Sequence, residues 1–439
     1  MIRTTLASPA QTPALLARYL AVRRRSMDLA APLSEADCQL QSMPDTSPTK
    51  WHLAHITWFF ETFVLEQVEP DFRPFDPAFR VLFNSYYNVV GDKHPRPRRG
   101  QISRPDLARV KAYRAQVDAR MRHLLESPPA GAWQAIVELG LQHEQQHQEL
   151  LLTDIKHALS CNPMLPIYQA GWPLASVAPV PTAWHECAAG LVEIGHSGDD
   201  FAFDNELPRH KTWLAPHALA NRVVTHGEWA EFIADGGYRD PRWWLAAGWE
   251  WVCTGGIEAP LYWQRGGDAA TPDWHSFTLH GQVPIDAHTP ISHISYFEAD
   301  AFARWISHVS HAHRGSRLPT EGEWEACAAR HAAITLPRGN FVESRALHPL
   351  PVATVTPEPM QLFGDVWEWT SSAYNAYPGY RPWSGAVGEY NGKFMVNQYV
   401  LRGGSCVTPR SHIRASYRNF FPTDARWQFS GVRLARDID

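Results

Sequence analysis

Five prolines and no Asp, Glu, Lys or Arg fall between residues 162 and 185 of this 439-residue chain. Proline removes a backbone donor and pushes the preceding residue out of the helical region, so neither a long helix nor a central strand runs through such a stretch. It divides the chain into two unlike parts, as a chain of this length requires, being too long for one ordinary core. Before it, residues 10–160 read as four long amphipathic helices with one excursion at 68–102. After it, Gly, Trp and Pro punctuate short segments such as LVEIG, HISYF and VLRGGS, with a few short helices (EADAFARWISHVS, TEGEWEACAAR). The expected organisation is α+β multidomain: a four-helix bundle over 1–165, a Pro-rich linker over 166–185 and an irregular α+β domain over 186–439.

Local signals mark the helices. Ser47-Pro48 reads as a hydroxyl N-cap with proline at the first helical position, opening a helix that runs to about Gln67. Ser103 with Asp106 three residues on reads as a short-armed capping box for the third helix. The fourth spans about Ala132 to Leu159. The first 27 residues carry Arg3, Arg18, Arg23, Arg24 and Arg25 and no acid. They read as an amphipathic first helix with Leu15, Leu16, Tyr19 and Leu20 on one side, in preference to a transit peptide, and the cytoplasm is the expected compartment. A net charge of −5 lacks the basic footprint of a nucleic-acid binder. No apolar run reaches the roughly 18 residues that span a membrane. The six cysteines are scattered without a CxxC pair, which fits reduced thiols.

With 22 histidines in the chain, a metal site is worth seeking. His143 and His147, in the run HEQQH, lie four apart and therefore project from one helix face. Their stripe reads Ile136, Gly140, His143, His147, Leu150 or Leu151, and Asp154, the inward face. Neutral imidazole binds divalent first-row metals. His55, one turn beyond Trp51 on the helix opened at Ser47, is placed to add a third imidazole from a neighbouring helix. His52 reads as a flanking residue or as a support behind the ligands. Three protein ligands leave positions open for substrate and O2 or water, as a catalytic metal needs. HEQQH is also formally the zinc-protease pattern, with Glu144 as general base. The local pattern leaves both readings open.

Longer motifs separate them. Residues 1–165 resemble the DinB-like helical domain. Residues 186–439 resemble the formylglycine-generating-enzyme (sulfatase-modifying factor) domain, a C-type-lectin-like α+β fold, through RLPTEGEWE (317–325), GDVWEWT (364–370), RGGS (402–405) and FSGVRLAR (429–436). The pairing, together with SPTKWHLAHITWFFETFVL, LFNSYYNVVG, HPRPRRG and YRNFFPTDARWQFSG, resembles the ergothioneine-biosynthesis sulfoxide synthases, the EgtB-type enzymes. The resemblance implies a non-heme Fe(II) enzyme that uses O2 to join a cysteine-type thiol, cysteine or γ-glutamylcysteine, to imidazole C2 of hercynine (Nα-trimethylhistidine) as a sulfoxide.

It also implies residue roles. His55, His143 and His147 would be the iron ligands. Gln146 and Asn419 would contact hercynine, with Phe420 and Phe421 walling its trimethylammonium group. Tyr86 and Tyr87 would offer a phenolic proton beside the metal, and Arg96 and Arg99 would clamp a donor carboxylate. One branch of the family has Trp-Asp after the asparagine. Phe-Phe here removes that carboxylate and tilts the expectation toward free cysteine. Plainer roles exist for each: loop anchors for the tyrosines, a solvated basic run for the arginines, core for the phenylalanines. Cys406, after RGGS, reads as buried structure, since the second thiol of a sulfatase activator is absent. Two other functions remain: a selenoneine synthase with a selenosugar donor, and a non-catalytic lectin-like binding protein.

Overall fold

The structure is a computed structural model that describes residues 11–127, 133–175, 177–266 and 273–438, with side chains from residue 14. It forms two compact units. The first is Met1–Tyr168 together with Pro382–Gly392; the second is Gln169–Arg381 with Lys393–Asp439.

Four long helices build the first unit: α1 (Gln11–Ala30), α2 (Thr49–Phe60), α3 (Leu107–Glu126) and α4 (Trp133–Ser160). α2 continues through a π-helical turn, Glu61–Leu65, into Glu66–Val68. α1 and α2 each pack on both α3 and α4. The inward stripe of α4 is buried as its spacing predicts, at Gly140, His143, His147, Leu151 and Asp154. Gly140 allows α4 to pass close to α2, because a Cβ there would lie 2.6 Å from Phe60 Cε1 and 2.9 Å from Phe59 Cε1. In α1, Tyr19 is buried and Leu15, Leu16 and Leu20 are half-buried, an amphipathic helix; residues 1–10 of the Arg-rich start lie outside the described residues.

Two helix starts differ from the expectation. The N-cap of α3 is Asp106, whose carboxylate accepts the Arg109 N–H at 2.7 Å. Pro105 disfavours a helical Arg104, so Ser103 lies too early to cap. The N-cap position of α2 is Pro48, with no side-chain cap. The Ser47 hydroxyl instead accepts from Arg99 at 2.9 Å, and its N–H donates to Asp154 Oδ2 at 2.8 Å. Charge-assisted bonds of this kind are stronger than a neutral cap.

The second unit is sheet-rich. One antiparallel sheet runs in the order Trp184–Cys187, His217–Ala220, Ala435–Asp437, Ser316–Arg317; a mixed sheet runs Asn419–Pro422, Gln398–Arg402, Trp367–Ala373, Ser430–Gly431, its last pair parallel. Its first strand thus begins at the end of the Pro-rich stretch. Helices His226–Ala234, Tyr296–Val309 and Glu321–Arg338 each open on a capping box, at Thr225, Ser295 and Thr320. The family motifs lock this core. Glu368 of GDVWEWT accepts from Arg433 of FSGVRLAR at 2.8 and 2.9 Å and from Trp324 of RLPTEGEWE at 2.7 Å. Arg402 of RGGS donates to Glu321 and Glu325 at 2.9 and 2.8 Å. Among the described residues no helix is long and apolar enough to cross a membrane.

Candidate metal centre

The helix formed by SPTKWHLAHITWFF presents Trp51, His55 and Trp58 at i, i+4 and i+7, one face of α2. The rings stack in that order. Trp51 and His55 lie 4.5 Å apart and His55 and Trp58 5.7 Å apart, each pair within 15° of parallel. The imidazole of His55 is therefore held between two indoles. Its Nδ1 meets the Phe83 carbonyl at 2.6 Å, so Nδ1 carries the proton and Nε2 presents a lone pair.

From α4, His143 and His147 face the same point. One ligand nitrogen from each of His55, His143 and His147 lies within 4.8 Å of the others, and all three residues are buried. His55 Nε2 and His143 Nδ1 have no hydrogen-bond partner. Buried nitrogens left unpaired are costly, and three converging lone pairs are what a transition-metal ion satisfies. Burial also favours neutral imidazole, the ligating form. It lowers His143 to about 4 and holds His55 and His147 well below the usual histidine value, with the neighbouring histidines adding to the effect in those two.

His147 is oriented by a chain of bonds. Its Nδ1 lies 2.8 Å from His52 Nδ1, and His52 Nε2 lies 3.0 Å from Asp154 Oδ2. The carboxylate requires the proton on His52 Nε2, so His52 Nδ1 accepts and His147 Nδ1 donates. That leaves His147 Nε2 unprotonated, the arrangement by which outer partners raise a ligand's basicity. The sequence offers His52 as a flank or a supporting residue, but it does not show that His147 is the ring supported or that Asp154 takes part. The available signal was their spacing, three residues before one ligand and seven after another.

Glu144 faces away from this work. It is fully buried in ion pairs with Arg23 at 2.9 Å and Arg114 at 2.5 Å, and it accepts from Ser26 at 2.6 Å. A carboxylate committed to two guanidinium groups is a structural tie between helices. With the third histidine coming from α2, the zinc-protease reading of HEQQH falls.

The remaining site residues are distributed as follows. Arg99 is buried, stacks its guanidinium 3.4 Å from the Trp51 ring centre, and donates to Ser47 and to Ser85 at 2.8 Å. Burial pushes its pKa down to about 9, still cationic at neutral pH. Arg96 is half-buried and donates to the Asp45 carbonyl; the Nε atoms of both arginines are buried without a partner. The solvated-run reading therefore does not describe Arg99. Tyr87 is buried, 5.7 Å from the Trp58 ring and 4.9 Å from Phe63, and burial raises its phenol above the ordinary value. Tyr86 is half-buried against Tyr390 at 5.6 Å.

Asn84 shapes that loop, with its side chain donating to the Tyr87 and Gly91 carbonyls and accepting the Tyr87 N–H. Glu389 adds to it by accepting the N–H groups of Asn88 and Val89 at 3.0 Å. Gln146 is half-buried on α4 beside the histidine face. Asn419, Phe420 and Phe421 lie in the second unit on the strand Asn419–Pro422. Phe420 stacks on Tyr374 at 4.1 Å, and Phe421 meets Trp427 edge-on at 5.6 Å. Cys406 is buried.

Comparison with known proteins agrees with this architecture. Residues 18–153 match the DinB superfamily and residues 186–438 match the sulfatase-modifying factor enzyme 1-like domain. Similar proteins include the hercynine oxygenase of Mycobacterium tuberculosis, 32% identical over 99% of this chain and 100% of that protein. That of Mycolicibacterium thermoresistibile is 31% identical over 97% of this chain and 95% of its own length. Ergothioneine biosynthesis protein 1 of Schizosaccharomyces pombe is 26% identical over 54% of this chain and 28% of its own length. Two domain matches in the order the motifs imply, and about a third identity along nearly the whole length, mean that the chain belongs to the EgtB-type ergothioneine-biosynthesis sulfoxide synthase family.

Proposed function

We propose that this protein acts in ergothioneine biosynthesis as an iron(II)- and O2-dependent sulfoxide synthase, joining a cysteine-type thiol to imidazole C2 of hercynine. The observation that carries the reading is the cluster of three buried, neutral histidines on α2 and α4, in a chain similar end to end to proteins called hercynine oxygenase. His55, His143 and His147 would hold the metal. Iron(II) held by three neutral ligands keeps its full positive charge and open positions, which suits activation of O2 and binding of a thiolate.

The chain's own groups account for the rest. The His52–Asp154 pair holds the His147 ring and its tautomer. Arg99, cationic and with its Nε free, suits a donor carboxylate, with Arg96 beside it. Tyr87, kept protonated by burial, is a proton source, as is Tyr86. Contacts of Gln146, Asn419, Phe420 and Phe421 with hercynine rest on the family resemblance. Free cysteine is the preferred donor over γ-glutamylcysteine, because the Phe-Phe pair offers no carboxylate after Asn419.

The test is oxygen consumption and product mass with the iron-loaded enzyme, hercynine, and in turn cysteine, γ-glutamylcysteine or a selenosugar. The expected result is a hercynine sulfoxide conjugate with a cysteine-type thiol, abolished in His143→Ala. Turnover with the selenosugar alone would replace the donor. Failure to take up iron at all would leave the non-catalytic binding protein.

A further inference from the structure

The second unit carries a separate cluster of thiol and imidazole groups that the proposed reaction does not use. On the strand Trp184–Cys187, His185 and Cys187 are two apart and so share a face. On the helix Glu321–Arg338, Cys327 and His331 are four apart and share a face in turn. The two faces meet. One ligand atom from each of His185, Cys327 and His331 lies within 4.8 Å of the others, and the His185 and His331 rings are 5.1 Å apart. Cys187 and Cys327 are both buried, and Cys187 is a neighbour of Cys327 that lies outside that 4.8 Å set.

A fifth group borders the cluster. His217 is the direct cross-strand partner of Cys187 and is 1% exposed. Its Nδ1 meets the Ala215 carbonyl at 2.9 Å, which leaves Nε2 buried without a hydrogen-bond partner. Nothing in a C-type-lectin-like core requires two thiols and three imidazoles in one spot, and hydrophobic side chains would fill the same volume at lower cost.

We propose that His185, Cys187, Cys327 and His331 form a closed metal site for a thiophilic divalent ion of the zinc class, tying the first strand of the second unit to the helix Glu321–Arg338. The pattern is H-x-C on a strand and C-x3-H on a helix, four nitrogen and sulfur donors, the number and kind that tetrahedral zinc takes in structural sites. Thiolate donors select it against magnesium and calcium, which prefer oxygen. On binding, the ion displaces the thiol protons of Cys187 and Cys327 to solvent, so the bound centre is electrically neutral, as burial demands. His217, the cross-strand neighbour of Cys187, lies outside the proposed coordination sphere. The site is independent of the three-histidine cluster, which contains no sulfur.

That difference supplies the test. Metal-free full-length protein, kept reduced, is titrated with cobalt(II) and read for the thiolate-to-cobalt charge-transfer band. A three-histidine site gives none. The expected result is a sulfur band in the wild type that persists in His143→Ala, weakens in Cys327→Ser and disappears when Cys187 and Cys327 are both replaced by Ser. His331→Ala, at a half-exposed position that folding tolerates, should weaken the affinity of the sulfur-band site at least tenfold. In parallel, zinc should raise the thermal midpoint of His143→Ala and fail to raise that of His143→Ala combined with His331→Ala. Cobalt uptake with no sulfur band, or a band unchanged in His331→Ala, would overturn the proposal.

Discussion

Asp154 lies seven residues beyond His147 on α4 and reaches it only through His52, at 3.0 Å from Asp154 to His52 and 2.8 Å from His52 to His147. A carboxylate so placed is not a member of the three-histidine cluster, yet it determines which nitrogen of His147 is unprotonated. Replacing Asp154 by Asn breaks the requirement that His52 carry its proton on Nε2. Metal affinity should fall about 10–100-fold, measured by competition with a chelator, while helix content stays near wild type. An unchanged affinity would mean the His147 tautomer is set elsewhere. At this scale the three clustered histidines were readable in advance as candidates, because HxxxH on an amphipathic helix and a histidine flanked by tryptophans follow directly from spacing. Of the second layer only His52 was readable, as a flank or support, and its partner was not. His52 shares its helix with His55, and only the approach of α4 shows that it serves His147 instead.

Elements place these residues, and the crossing of α2 with α4 is the decisive one. Gly140 lies one turn before His143, where a Cβ would come within 2.6 Å of Phe60 and 2.9 Å of Phe59, and the Phe59 ring is itself 4.9 Å from His143. In an exposed helix Gly→Ala would gain about 1 kcal/mol of propensity. Here both rings are buried at the crossing, so overpacking costs about 1–3 kcal/mol and the net effect is destabilising. Gly140→Ala should lower the urea midpoint of the bundle and weaken metal binding together; a stabilised variant would show that the crossing can widen. The same crossing explains why Ser47 does not cap its helix. Once α4 delivers Asp154 to the Ser47 N–H and the loop delivers Arg99 to its hydroxyl, both groups are taken. Helix starts are local in sequence only when nothing nonlocal competes, and for α3 the competitor is as near as Pro105.

At the scale of the whole molecule, charge buried in the second unit couples stability to pH. Asp365, in the GDVWEWT motif, is buried, and burial raises its carboxyl to about 6 from the ordinary 3.8. Between those values the native state holds a proton that the unfolded chain has released. The stability this contributes is therefore complete below about pH 4 and is lost as pH rises through about 6, up to about 3 kcal/mol for a shift of about 2 units. Asn keeps the acceptor that Leu350 N–H and Asn340 use at 2.8 Å and cannot ionise. Relative to wild type, Asp365→Asn should gain stability from pH 4 to pH 7 in urea unfolding of the second unit. A difference constant across that range would place the titration in another group. The sequence by itself determined the division at the Pro-rich stretch, the helical period of the first part, the shared face of the two histidines on α4 and the family motifs, because each rests on spacing or composition within a few tens of residues. Tertiary structure alone decided the rest. It brought His55 to His143 and His147, turned His52 and Asp154 into supports, committed Glu144 to two arginines, and returned Glu389 and Tyr390 some 300 residues along the chain to the loop of Tyr86 and Tyr87. These are contacts between distant segments, set by which faces pack together, and no local periodicity encodes them.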